Sequence, residues 1–228
     1  MPIVLGDYTF DERTTAVAEK QEEVGGRDAR AITLTGVFTG LETLEAAEAA
    51  LDGVITAAGD GVSETFLSLR AGRRMRVRRT GFEREVVRQK RTATFKLTLE
   101  AANPYEEAEE QTSFAWNVTA SDSTQVFTNA GNVYAQPVIT FLATGALIAP
   151  AISDGTRTMH YTGTVNDGET LAFDAAAGRV TLDGLDVTPY TEGVFPRLAP
   201  GDTTLTYTDE PDSTHTAAIT VAYRARWW

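Results

Sequence analysis

The sequence predicts a mainly β protein of two domains, an α+β N-terminal domain with one helix on a β-sheet and a C-terminal β-sandwich. Two observations support this prediction: apolar residues recur at helical spacing in one stretch only, and the second half alternates short β-branched or aromatic runs with Asp-Gly turns. Because 228 residues are long for one all-β domain, we expect domains at 1–112 and 113–228.

The N-terminal half is predicted to place one helix between strands. We assign the polar first thirty residues to strand and loop, and Arg30–Phe38 to a half-buried strand because Ile32 and Leu34 alternate with polar residues. Thr39 and Glu42 have the spacing of a capping box. The apolar residues that then recur at helical intervals are Leu41, Leu44, Ala47, Leu51, Val54, Ile55 and Ala58. The opposite face is acidic, which predicts a helix lying on the surface of a sheet.

A basic β-meander is predicted after the helix. Strands are expected at Glu64–Arg70 and Arg73–Arg79, and a long run from Phe82 to Ala101 is expected to end in a strand, with turns at Ala71-Gly72 and Thr80-Gly81. The cluster Glu106 to Glu110 follows and is interpreted as a solvated linker rather than a calcium or acid/base site, because it lacks the spaced oxygens and turn glycine of a calcium loop.

Charge is segregated along the chain. The formal net charge is −12, which disfavours nucleic acid or an anionic membrane as a partner of the whole protein. Eleven basic residues nevertheless lie between Arg70 and Lys96 against two acids, whereas the remaining sequence has nine basic residues against thirty acids. Strand alternation places Arg74, Arg76 and Arg78 on one face of the basic strand.

The basic segment has two main interpretations. The arginines either coat a solvated edge that blocks unwanted strand pairing, or meet carboxylates on neighbouring subunits through bidentate contacts. We favour the second. The candidate inter-subunit contacts are Arg73, Arg74, Arg76, Arg78, Arg79, Arg88, Lys90 and Arg91.

The second half is predicted to be all-β. Strands are expected at Gln125–Phe127, Val133–Phe141, Thr158–Val165, Thr170–Phe173, Arg179–Leu182, Thr203–Tyr207 and Ala217–Tyr223. Asp154-Gly155, Asp167-Gly168 and Asp183-Gly184 suit tight turns. The uncharged stretch from Ser123 to Ser153 is broken too often by polar residues and proline to cross a lipid bilayer. Trp227 and Trp228 either close the sandwich core, which we favour, or dock on a partner.

No catalytic, metal or cofactor motif is recognisable. Cysteine is absent. The first residues contain no long apolar stretch preceded by basic residues, so we expect no signal peptide. His160 and His215 lie far apart in the sequence, and we expect both to be structural. A catalytic triad could be assembled from Ser153, Asp154 and His160. We do not expect one, because the sequence has no nucleophile-elbow motif.

Four segments of the second half together resemble the C-terminal domain of siphophage distal tail proteins, the Dit family. They are Gly131–Phe141, the glycine-framed hairpin Gly168–Gly184, Phe195–Gly201 leading to Leu205, and Val221–Trp228. The first half resembles that family more loosely, through Leu34-Thr-Gly36, one helix, a basic meander and a long strand that closes on Asn103-Pro-Tyr105.

This resemblance implies a tail-tube-like N-terminal domain that assembles into a hexameric ring, with a galectin-like sandwich outside it. The implied function is a non-enzymatic adaptor between tail tube and baseplate hub, located at the distal end of the virion tail and assembled in the host cytoplasm. Expected partners are further copies of the chain, the tail tube protein, the baseplate hub or tail-associated protein, and tail fibre or receptor-binding proteins. No cofactor, membrane insertion or stable nucleic acid is expected, and DNA in the tail lumen is the least favoured partner of the arginines.

The alternative function is a carbohydrate-binding or host-adhesion module on the C-terminal sandwich. Tyr134, Tyr161 and Tyr190 would then form its stacking platform. Larger members of the family carry inserted carbohydrate-binding modules, for which this chain has no spare length.

Overall fold

The computed structural model describes residues 2–24 and 27–228, and the chain forms two compact units that divide after Glu109. The strand-and-loop prediction for the first thirty residues includes positions 1, 25 and 26, which lie outside the described residues. The first unit contains α1 (Leu44–Ala57) and the strands β1 (Ile3–Leu5), β2 (Tyr8–Phe10), β3 (Thr15–Val24), β4 (Arg27–Phe38), β5 (Thr65–Arg70), β6 (Arg73–Val87), β7 (Thr92–Ala101) and β8 (Glu106–Ala108).

The first unit is built on one curled antiparallel sheet. Its strand order is β2-β1-β5-β6-β7-β4-β3, and β8 pairs with Arg73 and Arg74 at the start of β6. The two outermost strands, β2 and β3, follow each other in the chain and are joined by four residues, Asp11–Thr14. Four residues span at most about 14 Å, so the sheet has to curve until its two edges approach each other.

Helix α1 packs on the inner face of this sheet, as its apolar spacing predicts. Ala47, Leu51 and Val54 are buried, and they join a core that includes Ile32, Leu34, Leu97 and Leu99 from β4 and β7. The predicted capping box was wrong, because the N-cap is Thr43, whose Oγ1 accepts a hydrogen bond from the Ala46 N–H at 3.1 Å. Thr39 and Glu42 precede the helix, where the chain still turns away from the end of β4.

The strand that begins at Arg73 is longer than predicted and forms a long hairpin with β7. The predicted turn at Thr80-Gly81 was wrong: β6 continues through it to Val87 with a bulge, since Arg79 pairs with Leu99 and Gly81 pairs with Thr98. The chain turns later, at the 3-10 helix Arg88–Lys90, before β7 begins. A bulge absorbs one extra residue without ending a strand. The Thr80 hydroxyl bonds to the Thr98 carbonyl, which holds that extra residue in place.

The second unit contains fourteen strands among the described residues, many of them only two or three residues long. They are β9 (Thr112–Val118), β10 (Ser123–Asn129), β11 (Val138–Ala143), β12 (Leu147–Ile148), β13 (Ala151–Ser153), β14 (Thr158–Tyr161), β15 (Thr164–Val165), β16 (Thr170–Asp174), β17 (Arg179–Leu182), β18 (Leu185–Asp186), β19 (Thr191–Gly193), β20 (Gly201–Thr208), β21 (Ala217–Tyr223) and β22 (Arg226–Trp227). Each of the seven predicted runs overlaps a strand, whereas none of them includes β9, β12, β13, β18, β19 or β22.

Two sheets of the second unit enclose one core. One has the order β10-β20-β13-β14-β19 and the other β18-β17-β16-β11-β21-β9. The core cluster takes Phe127, Ile152 and Tyr207 from the first sheet and Phe141 and Ile219 from the second. The rings of Phe141 and Tyr207 lie 5.9 Å apart across the two sheets. This arrangement is the predicted β-sandwich, and the mainly β fold class is confirmed for the whole chain.

The terminal tryptophans do not close this core. Trp228 is 50% exposed, and the buried cluster of the sandwich contains neither Trp228 nor Trp227. The prediction of core closure was therefore wrong. The indole that does pack inside the sandwich is Trp116, on β9, where it lies 6.2 Å from the ring of Phe127.

Gly36 is required where β4 crosses the ring of Phe95. A Cβ at position 36 would overlap that ring, so we predict that Gly36→Ala lowers the free energy of unfolding by about 1 to 3 kcal/mol. Gly81→Ala is the matched control, because a Cβ there meets Thr98 at an ordinary 3.6 Å. Denaturant unfolding of both variants checks the prediction, and equal stabilities would contradict it.

Candidate assembly surface

Strand β6 separates its side chains between the core and the surface. Met75 and Val77 are buried under the helix, whereas Arg76 and Arg78 are exposed on the opposite face. This alternation matches the one predicted from the sequence, although the bulge at Thr80 shifts it in the second half of the strand. Arg74, Arg76 and Arg78 are therefore on the face of the strand opposite to Met75 and Val77.

Several of these arginines already have a carboxylate partner in the same chain. Arg73 lies 3.7 Å from Glu106, Arg78 lies 3.9 Å from Glu100, and Arg76 lies 4.0 Å from Glu64. The exposed pairs of Arg76 and Arg78 contribute up to about 1 kcal/mol each. They nonetheless offset the charge of the strand locally, which reduces its attraction for an outside partner.

Arg74 is held by an aromatic ring instead of a carboxylate. Its guanidinium lies 4.0 Å above the centroid of Phe66, and that of Arg76 lies 5.3 Å from the same ring. A guanidinium within about 6 Å of a ring centroid is attracted by the electron density of the ring face. Phe66 therefore fixes two of the predicted contact residues against β5.

The cations at the turn of the long hairpin are different. We call residues Arg88–Arg91 the hairpin tip, in which Arg91 has a left-handed backbone with φ 52°. Arg88, Lys90 and Arg91 are all exposed, and no carboxylate of the described residues lies within 4.0 Å of any of them. Arg79, which is half-buried, likewise has no such partner. Three adjacent cations thus remain without a countercharge in this part of the chain.

A cleft of about 140 Å³ opens beside the hairpin tip. It is lined by Glu42, Thr43, Leu44, Ala47, Val86, Val87, Arg88 and Arg91. The floor comes from the apolar side chains of α1 and the end of β6, and the rim carries the two arginines and one glutamate. An apolar side chain flanked by negative charge fits this combination of surfaces.

Glu106 neutralises the other end of the hairpin. Its carboxylate is 2% exposed and forms ion pairs with Arg70, with Arg30 at 3.8 Å and with Arg73 at 3.7 Å. Glu19 joins the same network through Arg30 and through Arg70 at 3.3 Å. The sequence interpretation of Glu106 as part of a solvated linker was therefore wrong. Glu107 and Ala108 also belong to strand β8 rather than to a linker.

The electrostatics of Arg70 reflect this network. Burial lowers the pKa of Arg70, but the neighbouring carboxylates of Glu106 and Glu19 raise it more, so the net shift is upward. Arg70 stays protonated at any accessible pH, which keeps the buried carboxylate of Glu106 paired. The distance along the chain between Arg30, Arg70 and Glu106 explains why no local sequence pattern revealed the cluster.

No catalytic triad forms around Ser153. Its Oγ accepts from the Gly155 N–H at 3.1 Å and donates to the Arg157 carbonyl, within its own turn. Asp154 caps the same turn, and no hydrogen bond joins His160 to either residue in the described structure.

His215 contacts a carboxylate elsewhere in the sandwich. Its Nδ1 lies 2.7 Å from Oδ1 of Asp209, whose other oxygen accepts the hydroxyl of the buried Tyr207 at 2.7 Å. Burial, together with Asp209, raises the pKa of Tyr207. Within the described residues no group of three or more His, Asp or Glu side chains is arranged to hold a metal ion. No helix in the described ranges is long and apolar enough to span a membrane.

The three tyrosines proposed for sugar stacking do not share an environment. Tyr161 is only 7% exposed and belongs to the sandwich core, so its predicted role as a stacking residue was wrong. Tyr134 and Tyr190 are exposed at 46% and 63%.

We predict that Glu106→Gln lowers the free energy of unfolding of the first unit by about 2 to 3 kcal/mol, because it leaves three arginines around a neutral amide. Glu107→Gln, on the neighbouring position of β8, is the control and is expected to change stability by less than about 0.5 kcal/mol. Chemical unfolding monitored by fluorescence separates the two. If both variants lost a similar free energy of unfolding, the ion-pair network of Glu106 would not be the cause, and the prediction would be contradicted.

Asp154 gives a prediction for pH dependence. Burial raises the pKa of Asp154, but hydrogen bonds from the N–H groups of Arg197, Arg157 and Thr156 lower it more, so it lies below its ordinary value. A carboxylate whose pKa is lowered by folding stabilises the fold above its unfolded pKa of about 3.9, and this contribution is lost as the pH falls through the folded pKa.

Asp154→Asn should therefore cost about 1 to 2 kcal/mol at pH 7 and clearly less near pH 3. The exposed Asp212→Asn is the control, with little effect at either pH. Urea unfolding at the two pH values provides the measurement, and a loss that is independent of pH would contradict the assignment.

Comparison with known proteins supports the resemblance seen in the sequence. Residues 130–227 match the family model described as the siphovirus-type tail component, C-terminal domain. A search of curated protein sequences gave no match. Among solved structures, the fold is similar to the crystal structure of the Dit protein of phage SPP1, whose title calls it a paradigm of the hub adsorption apparatus in phages that infect Gram-positive bacteria.

That similarity has a TM-score of 0.71 at 10% sequence identity, and it covers 100% of this chain and 99% of the SPP1 chain. At this identity it establishes the fold. Residues 130–227 thus match the siphovirus-type tail component family model, within a chain that has the fold of the SPP1 Dit protein over its whole length.

Proposed function

We propose that this protein is a structural component of a siphophage tail tip, where six copies close into a ring that joins the tail tube to the baseplate hub. The observation that carries the proposal is the combination of the family match in the second unit with the Dit-like fold of the whole chain. Its partners would be the tail tube protein, the hub or tail-associated protein, and tail fibre or receptor-binding proteins at the distal end of the virion.

Ring closure requires two different patches on each subunit. In a six-membered ring one patch of a subunit meets a different patch of the next, and opposite charges on the two patches favour that pairing. The hairpin tip supplies a cationic patch without a countercharge in the described residues, and the second unit supplies thirteen carboxylates against five arginines and no lysine. The chain thus has the two kinds of surface that head-to-tail closure needs.

The eight predicted contact residues contribute unequally in this proposal. Arg73, Arg76 and Arg78 are partly neutralised by carboxylates of their own chain, and Arg74 is stacked on Phe66. Arg88, Lys90 and Arg91 have no such partner, so they supply most of the attraction between subunits. Arg79 is half-buried and contributes less.

The carbohydrate-binding alternative has weaker support. Its platform of three tyrosines loses Tyr161 to the sandwich core. We therefore base the functional proposal on assembly alone.

Native mass spectrometry and analytical ultracentrifugation test the ring. We predict a six-subunit species at low ionic strength whose population falls as the salt rises from about 0.01 M to about 1 M, because exposed charges are screened over that range. Arg88→Glu should reduce this species strongly. The matched control Lys20→Glu reverses a cation that is 77% exposed and should not.

A protein that remains monomeric at every salt concentration would contradict the ring proposal. A ring that Arg88→Glu and Lys20→Glu affect equally would contradict the role given to the hairpin tip while leaving the ring itself in place.

A further inference from the structure

We propose that the cleft beside the hairpin tip of one subunit receives the Leu185 turn of a second copy of this chain. We use the name Leu185 turn for residues Asp183–Asp186, which lie at the end of the hairpin β17–β18. The inference rests on the proposed ring and names the contact that holds it together, so the experiments below separate the two.

The cleft offers an apolar floor within a mainly positive rim. Leu44 and Ala47 of α1 and Val86 and Val87 at the end of β6 supply its apolar lining, and its charged lining residues are Arg88, Arg91 and Glu42. Its volume of about 140 Å³ is sufficient for one aliphatic side chain. Because both arginines lack a carboxylate partner in the described residues, an incoming carboxylate would not displace an existing ion pair.

The Leu185 turn has the complementary chemistry. Leu185 is 74% exposed, which is high for a leucine on a sandwich whose core is otherwise closed. Asp183 lies two residues before it and Asp186 directly after it, so the exposed leucine has an acidic residue on each side in the sequence. An apolar group flanked by negative charges matches an apolar cleft flanked by positive charges.

The turn is rigid, which lowers the entropic cost of binding. Asp183 and Gly184 both have positive φ values, 47° and 82°, as a two-residue hairpin turn requires. Oδ1 of Asp183 accepts the Thr170 N–H at 2.8 Å, and Oδ1 of Asp186 accepts the Thr188 N–H at 2.9 Å. Preorganised groups lose less freedom when they dock.

The location of the two surfaces suits head-to-tail assembly. The cleft lies on the first unit and the Leu185 turn on the second, so one subunit carries both halves of the contact at different places. A contact between different patches can repeat around a ring, whereas a contact between identical patches ends at a dimer. Val62, which is 79% exposed between Asp60 and Glu64, is also an aliphatic side chain with acidic neighbours, but it lies on the unit that carries the cleft.

Site-specific cross-linking tests the contact directly. The chain has no cysteine, so single-cysteine variants are unambiguous. Leu44→Cys and Leu185→Cys protein, mixed in equal amounts and treated with a short bismaleimide, should give cross-linked chain pairs. A mixture of Leu44→Cys with Val62→Cys is the control and should give about tenfold less. Adding Arg88→Asp and Arg91→Asp to the Leu44→Cys chain should reduce the product to the control level.

The aspartate substitutions are chosen to spare the fold, since aspartate tolerates the left-handed backbone of position 91 better than most residues. Their melting temperatures serve as a check. A third variant, Leu185→Ser, removes the apolar group alone and should weaken self-association by about tenfold.

The outcomes distinguish this inference from the ring proposal. A six-subunit species without the Leu44–Leu185 cross-link would overturn the inference and leave the ring standing. Cross-linked pairs without a six-subunit species would support the contact and refute the ring. If neither the six-subunit species nor the cross-link were found, the ring proposal and this inference would both be refuted. Equal cross-linking yields from the Leu185 and Val62 mixtures would also overturn the inference.

Discussion

The distribution of charge along the hairpin β6–β7 depends on one buried carboxylate. Glu106 collects Arg30, Arg70 and Arg73 at the base of the hairpin, where burial makes an unpaired charge costly. Without it, Arg73 would lose its carboxylate partner, and only Glu19 would remain to pair with Arg30 and Arg70. With it, the charge at the base of the hairpin is largely offset within the chain, whereas the cations of the hairpin tip have no carboxylate partner among the described residues. The first unit can thus pair its buried charges within the chain and still present a charged surface to another molecule.

The curled sheet determines where that surface lies. Because β2 and β3 are sheet edges joined by only four residues, the sheet wraps around α1 and places the N-terminal end of the helix beside the end of β6. The cleft at the hairpin tip is a consequence of that meeting. Its apolar floor and basic rim come from elements separated by about forty residues in the sequence, and neither element alone predicts the cleft.

Features that depend on local periodicity were predicted well. The alternation of Phe95, Leu97 and Leu99 indicated β7, and the Asp-Gly pairs indicated the turns of the sandwich, because both signals lie within a few residues. Features that depend on distant partners were missed. Thr80-Gly81 has the composition of a turn but forms a bulge, since Thr98 on the neighbouring strand accepts its hydrogen bond. Tyr161 and Trp228 were assigned to the wrong environments, because solvent exposure at the end of a strand depends on what covers it.

For the candidate contact residues, too, the sequence missed what depends on distant partners. The sequence identified all eight cations, but it could not separate those with partners in the chain from those without, because Glu64, Glu100 and Glu106 lie on other elements.

Cryo-electron microscopy of the purified ring tests the central claim most directly. Our account predicts six subunits in which each hairpin tip contacts acidic residues of the next copy. A ring whose hairpin tips project into solvent, closed through other surfaces, would contradict it.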